Sequence, residues 1–176
     1  MTCVAGIVRA GRVWIGADSA ATSDDLIATR GPKVFRAGPL LVGFAGSYRS
    51  AQVLQHGLDV PAQADGQSDA AWLSTTFTDA LRQAQRRAGA IRRDAEVDGS
   101  ATAYLIGYRG ALYELDGEYA LGQVGEYAAI GSGGAVALGS LHATTGLSPR
   151  RRVEAALEAA ACHCVGVRAP FSVVAL

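Results

Sequence analysis

The sequence comprises 176 residues, of which 49% are hydrophobic, and its sixteen Lys and Arg residues balance sixteen Asp and Glu residues. This length fits one domain, residues 1–176, and with a zero net charge we do not expect the basic surface of a nucleic-acid-binding protein. No apolar run is long enough to span a membrane, and Arg9, Arg12 and Asp18 interrupt the apolar stretch that a signal peptide would need. The three cysteines do not form a metal-ligand pattern, which indicates a reducing compartment. We therefore expect a cytoplasmic protein without membrane partners.

The first half of the chain reads as strands followed by helices. Apolar, β-rich runs predict strands at residues 2–9, 12–18, 33–36 and 40–46, with a short one at 26–30. Residues 18–22 are expected to leave the second strand, and residues 23–25 to form a turn. Helices are predicted over 47–58 and 68–88, separated by a loop, and the second helix has Ser68 as its N-cap. The charged stretch 92–99 is expected to end this helical region.

The second half repeats the same order. Strands are predicted at 101–108, 111–115, 119–123 and 126–130, and a Gly-Ser-Gly-Gly segment leads into a helix that ends near 145. Ser148 and Pro149 start a last helix, which ends near 164, and a strand over 171–176 closes the chain. Hairpin-linked strands imply antiparallel sheets. The pattern therefore predicts an α+β fold, a four-layer αββα sandwich of two antiparallel sheets flanked by helices.

Two residues suggest chemistry. Removal of Met1 would leave Thr2 with a hydroxyl and an α-amine whose pKa is about 8, and this pair is a recognised activated nucleophile. Lys33 is the single lysine among the sixteen basic residues, and a lysine ammonium is compact and tunable in pKa where arginine is not. Each residue alone also has an ordinary explanation. Thr2 could be a second residue without any catalytic role, and Lys33 could be the one lysine left in a genome that favours arginine codons.

Motifs along nearly the whole chain resemble those of the proteasome-family threonine peptidases, which are N-terminal-nucleophile hydrolases. The resemblance rests on Thr2, Gly16-Ala17-Asp18-Ser19-Ala20-Ala21-Thr22, Gly31-Pro32-Lys33-Val34, Gly43-Phe44-Ala45-Gly46 and Ala129-Ile130-Gly131-Ser132-Gly133-Gly134. Their order and spacing carry more weight than any one of them. The last helix, with Cys164 near its end and no Asp there, is most similar to the bacterial HslV-type peptidase.

The resemblance implies a role for each catalytic candidate. Thr2 would attack the peptide carbonyl, with its own amine taking the proton through a water molecule. Lys33 would stabilise the attacking oxygen, and Asp18 would keep Lys33 charged. The Gly46 N–H would bind the oxyanion, and Ser132 would contact the amine. Alone, Asp18 and Gly46 could equally be turn residues, and Ser132 a helix N-cap.

The same resemblance implies how substrate would bind. An unfolded polypeptide would add as a strand through main-chain hydrogen bonds. Thr22 and Ser47 would line the cleft, and Ala21, Phe44 and Tyr48 would shape the specificity pocket.

No cofactor is expected to be required, but relatives of the HslV type hold a monovalent cation through backbone carbonyls. That site maps onto Ala161, Cys164 and Val167, which makes these carbonyls a candidate Na⁺ site. Proteasome β-subunits carry an Asp and a Ser in place of Cys164 and Val167, so here support for the amine is absent or comes from backbone carbonyls. Cys162-His163-Cys164 looks like a metal triplet, but neighbours on a helix point about 100° apart, so we interpret it as core.

The resemblance further implies homo-oligomeric rings, hexameric or heptameric and stacked, which receive polypeptides from an AAA+ ATPase unfoldase. Two alternatives stay open: a catalytically inactive, ring-forming scaffold, and an N-terminal-nucleophile hydrolase of small amides. Ring size, the ATPase, cleavage preference, removal of Met1 and the host are not fixed by the sequence.

Overall fold

The computed structural model describes residues 1–23, 26–29, 31–94 and 97–176, with side chains described outside 22–30 and 92–98. The first half contains strands β1 (Val4–Arg9), β2 (Arg12–Ala17), β3 (Ala20–Ser23), β4 (Leu26–Thr29), β5 (Val34–Ala37) and β6 (Leu40–Ala45). The helices that follow are α1 (Tyr48–His56), and α2 (Asp69–Ala71), which continues through a π-helical segment (Trp72–Phe77) into α3 (Thr78–Arg87).

The second half opens with strands again. These are β7 (Arg92–Asp94), β8 (Val97–Gly99), β9 (Ala103–Tyr108), β10 (Ala111–Leu115), β11 (Leu121–Gln123) and β12 (Tyr127–Ile130). Two helices follow, α4 (Gly134–Ala143) and α5 (Pro149–His163), before the closing strand β13 (Ser172–Ala175). Helix α5 has Ser148 at its N-cap and proline at its first position, where the missing N–H costs nothing.

Two antiparallel sheets form the centre of the molecule. The first has the strand order β12-β1-β2-β13 and the second β11-β10-β9-β6-β5. Strands β3 and β4 form a separate hairpin, as do β7 and β8. In the first sheet Val4 pairs with Ala17 and with Ile130, so the start of β1 lies between the end of β2 and the end of β12.

Three apolar clusters fill the spaces between the layers. One fills the space between the sheets and includes Val4, Ile15, Leu41 and Leu105. A second packs the five-stranded sheet against α1 and the helix containing α3, and a third packs the four-stranded sheet against α4 and α5. Each sheet is therefore buried on both faces, which explains why its strands read as nearly continuous apolar runs.

The predicted α+β fold with four αββα layers is confirmed, and most predicted elements lie within a few residues of the observed ones. Three details differ. Residues predicted to leave the second strand instead form β3, and the charged stretch 92–99, expected to end the helical region, contains β7 and β8. The predicted helix over 68–88 is interrupted by the π-helical segment. Of the predicted turn at 23–25, positions 24 and 25 lie outside the described residues.

The described part of the chain contains no helix of the length and apolar character needed to cross a membrane.

Candidate active site

Thr2 lies just before β1, where the loop between β12 and α4 encloses its backbone. The Thr2 N–H donates to Ser132 Oγ at 3.1 Å, and the Thr2 carbonyl accepts from Gly133 N at 3.1 Å and from Ser132 Oγ at 3.3 Å. Gly131 has φ +88°, and a Cβ there would collide with the Thr2 carbonyl. A glycine at this turn therefore lets the loop approach Thr2 closely, and only 7% of Thr2 is exposed.

Lys33 and Asp18 form an ion pair beneath Thr2. Lys33 Nζ lies 2.8 Å from Asp18 Oδ1, and both residues are about 1% exposed. The carboxylate has two further donors: Cys3 N–H to Oδ1 and Ala20 N–H to Oδ2, each at 3.0 Å. A buried carboxylate that accepts three hydrogen bonds is fully paired, which is the condition under which a buried charge is tolerated.

The lysine ammonium also contacts the threonine hydroxyl. Lys33 Nζ donates to Thr2 Oγ1 at 2.9 Å, and that hydroxyl donates to the Met1 carbonyl at 2.7 Å. Burial lowers the pKa of Lys33, while the hydrogen bond and the negative charge of Asp18 act in the opposite direction. A charged donor at this distance stabilises negative charge that develops on Thr2 Oγ1.

Cys3 lies immediately beside this pair and is inert. Its thiol is fully buried, and burial, with a smaller effect of the Asp18 charge, raises the pKa of Cys3 to about 12. A thiol with such a pKa stays protonated near neutral pH, so it is a poor nucleophile.

Gly46 directly follows β6 and is exposed. Its φ is +133°, and a Cβ there would collide with the Ala101 carbonyl, so glycine is required at this position. The preceding Ala45 lies beside Gly131, the glycine that faces Thr2. Ser47 caps α1 by accepting from Ser50 N at 3.4 Å, and its own N–H donates to Thr102 Oγ1 at 2.9 Å.

The other residues predicted to bind substrate do not belong to the hydrogen-bonded group around Thr2. Ala21 is half-buried on the β3–β4 hairpin, and the side chain of Thr22 lies outside the described residues. Phe44 is 2% exposed and packs in the helix-side cluster, with its ring centroid 5.1 Å from that of Tyr48 and 6.3 Å from that of Phe35. The structure therefore places the Phe44 ring in the core and not on a cleft.

The three carbonyls predicted to hold a cation do converge, but around a side chain. Arg168 Nη1 donates to the carbonyls of Val167 at 2.9 Å, and of Ala161 and Cys164 at 3.4 Å each. Arg168 was not among the candidates derived from the sequence, because nothing in the local pattern marks an exposed arginine that follows a helix. These carbonyls are therefore poorly suited to a free Na⁺ ion.

The Cys162-His163-Cys164 triplet is not a metal centre in the described structure. Among the described residues, no group of three or more His, Cys, Asp and Glu side chains is placed to hold a metal ion. Cys162 and His163 are exposed and Cys164 is half-buried, so the interpretation of the triplet as core is wrong for the first two. All three cysteines of the chain are free thiols.

The structure thus brings Thr2, Asp18, Lys33 and Ser132 into one hydrogen-bonded group. Sequence reasoning missed the backbone donors of Cys3 and Ala20 to Asp18, because backbone contacts leave no residue-type signal.

No family model matches the sequence, and none of the curated proteins matches it significantly. Solved structures do match. BPH from Thiobacillus denitrificans superposes with a TM-score of 0.84 at 22% identity, over 99% of this chain and 97% of that one. The same protein in complex with epoxomicin gives 0.84 at 21% identity, over 99% and 98%. Eukaryotic HslV from Trypanosoma brucei gives 0.71 at 20% identity, over 99% of each chain. The resemblance predicted from the motifs is confirmed for the fold: the chain has the fold of the HslV and proteasome type of protein.

Proposed function

We propose that this protein is a threonine-type endopeptidase in which Thr2, freed by removal of Met1, is the nucleophile. The observation that carries the proposal is the contact of 2.9 Å between Lys33 Nζ and Thr2 Oγ1, backed by the buried Lys33–Asp18 pair. Burying a lysine ammonium costs desolvation free energy, and here it lies beside one particular hydroxyl. Stabilisation of the alkoxide that attacks the substrate explains this placement.

The proposed reaction proceeds in two steps. Thr2 Oγ1 bonds to the peptide carbonyl carbon, and its proton passes through a water molecule to the Thr2 amine. The Gly46 N–H stabilises the oxyanion, and the amine returns the proton to the leaving nitrogen as the C–N bond breaks. Water then hydrolyses the Thr2 ester by the reverse sequence. Lys33 stays protonated throughout and Asp18 holds it in place, while Ser132 fixes the amine, to whose nitrogen its Oγ lies 3.1 Å away.

The wider setting belongs to the same proposal. The substrate is an unfolded polypeptide, and the protein assembles as a homo-oligomeric, stacked ring that an AAA+ unfoldase supplies. The support is the fold shared with HslV and BPH, one structure of which contains epoxomicin. Exposed Leu138 on α4 and Leu147 in the connection between α4 and α5 suit contacts between subunits. Three free thiols suit a reducing cytoplasm.

The test begins with protein prepared so that Thr2 is its first residue. A fusion partner whose protease cuts directly before Thr2 yields the free amine, and the matched preparation keeps Met1. Each is treated with a peptide epoxyketone, a reagent that needs both the hydroxyl and the amine of one residue, and is then analysed by intact mass. We expect one adduct on Thr2 only in the first preparation. The adduct is expected to be absent in Lys33→Ala and present in Arg36→Ala, which removes an exposed cation three residues away.

A second measurement follows cleavage of an unfolded protein by the same preparations. Hydrolysis that requires the free Thr2 and the Lys33 ammonium supports the peptidase. An assembled ring with a free Thr2 that neither reacts nor cleaves would refute it and leave the scaffold alternative. A monomer that cleaves small amides but no peptides would favour the small-amide hydrolase.

A further inference from the structure

The end of α5 and the loop that follows it form a ring of carbonyls around one guanidinium nitrogen. Arg168 Nη1 is 2.9 Å from the Val167 carbonyl and 3.4 Å from those of Ala161 and Cys164. Ala161 lies in the last turn of α5 and Cys164 is its C-cap, and carbonyls at a helix C-terminus carry partial negative charge that attracts a cation. The Val167 carbonyl, from the loop, adds a third oxygen. In this chain the cation is covalently attached.

We propose that Arg168 is a built-in replacement for a monovalent cation at this position, so that the loop needs neither Na⁺ nor K⁺ to hold its conformation. A guanidinium is a donor only and stays charged at every accessible pH. A free ion could reach the three carbonyls only by displacing it. This inference stands apart from the proposed peptidase activity, because it concerns how the loop is held.

The loop matters because it contacts both sides of the candidate active site. The Arg168 carbonyl accepts from Ser19 N at 3.1 Å and from Ser19 Oγ at 3.4 Å, and Ser19 follows Asp18 in the chain. On the other side, Cys164 Sγ lies 4.0 Å from the Ser132 carbonyl. Arg168 is therefore a positioning residue, which acts through the loop on the residues that surround Thr2.

The test compares cations at constant ionic strength. Thermal unfolding of the full chain is measured in about 0.2 M NaCl, KCl or choline chloride, where screening of surface charges is equal. We expect the same midpoint, within about 1 °C, in all three salts for the unchanged protein. We expect Arg168→Met to unfold about 4 °C lower in choline, the shift that loss of this cation's contacts gives in a chain of this length, and to recover in Na⁺ or K⁺.

Two variants sharpen the comparison. Arg151→Met removes an exposed arginine near the start of α5, where it pairs with Glu154 at 2.8 Å, and is expected to show no cation dependence. Arg168→Lys keeps a positive charge and is expected to stay independent of the salt. In ²³Na NMR, Arg168→Met is expected to broaden the sodium signal saturably, with competition by K⁺, whereas the unchanged protein leaves it sharp.

Two outcomes would overturn the proposal. A saturable rise in the midpoint of the unchanged protein with Na⁺ or K⁺ but not choline would mean that a free ion occupies the carbonyls despite Arg168. An Arg168→Met variant that behaves like Arg151→Met would mean that no cation is needed there. Because the first of these uses the unchanged protein, a variant that fails to fold does not remove the test. None of the readouts depends on peptidase activity, so failure here is distinguishable from failure of the proposed function.

Discussion

Replacing Asp18 with asparagine should lower the free energy of unfolding, because the buried Lys33 charge then lacks its partner. The substitution keeps the shape of the side chain but removes its charge, and the amide NH₂ must then face at least one of three donors: the Lys33 ammonium, Cys3 N–H and Ala20 N–H. Removing one partner of a buried ion pair costs about 3–5 kcal/mol, because the other charge is left uncompensated. For a domain whose free energy of unfolding is on the order of 5–15 kcal/mol, this is a large fraction.

The loss should depend on pH in a defined direction. Burial lowers the pKa of Lys33, and in Asp18→Asn nothing from residue 18 opposes that shift. Between the pKa of Lys33 in the folded variant and that in the unfolded chain, the unfolded state binds more protons, so stability rises with pH. The stability deficit of Asp18→Asn relative to the unchanged protein is therefore expected to shrink as the pH is raised from about 6 to about 9, since the variant loses the lysine proton first.

Urea unfolding at one fixed protein concentration measures both effects, since assembly would otherwise change the apparent stability. Asp69→Asn is the control, because Asp69 is partly exposed, accepts one further hydrogen bond from Gln63, and pairs with an exposed Arg109, and surface pairs of this kind contribute about 0–1 kcal/mol. Adding Lys33→Met to Asp18→Asn should recover part of the loss. A deficit no larger than that of Asp69→Asn, or one that stays constant with pH, would refute the reasoning.

Three further outcomes are expected. Since burial lowers the pKa of Lys33, kcat/KM for peptide hydrolysis should fall on the alkaline side below the ordinary lysine range, and a profile unchanged in Lys33→Arg would contradict this. Ellman's reagent at about pH 8 should modify exposed Cys162 quickly but Cys3, whose pKa burial raises to about 12, only after unfolding; a fast reaction of native Cys3 would be contrary evidence. Gly46→Ala should lower the free energy of unfolding in urea by about 1–3 kcal/mol, because φ at this residue is +133°. Gly139 is exposed within α4 and nothing lies near an added Cβ, so Gly139→Ala should raise it by about 0.5–1 kcal/mol. Equal effects of the two substitutions would argue against backbone strain at Gly46.

The layers of this fold could be predicted because apolar periodicity and hairpin turns report which elements are buried and which are adjacent. The hairpin of β7 and β8 could not, since its sequence is dominated by charge, and a short hairpin is defined by backbone pairing more than by residue type. The π-helical segment was equally hidden, because its apolar residues still recur at helical spacing.

The position of Phe44 shows a more general limit. Strand β6 is buried along its whole length, so alternation does not tell which side chains face which layer. Val42 and Phe44 enter the helix-side cluster, while Leu41 and Ala45 lie between the sheets. A prediction that places Phe44 near a cleft and one that places it in the core have the same sequence pattern, and only the register of the strand distinguishes them.

The single lysine was a better guide, because burying an ammonium imposes demands that few surroundings meet. Lys33 requires a carboxylate, and the carboxylate in turn accepts the N–H groups of Cys3 and Ala20. Cys3 directly follows Thr2, so the acid that holds the lysine also fixes the chain that carries the proposed nucleophile. The distance between Lys33 and Thr2 is therefore set by the same hydrogen bonds that begin β1. The candidate site takes its residues from both sheets, since Thr2 lies just before β1 of the first sheet and Lys33 directly precedes β5 of the second.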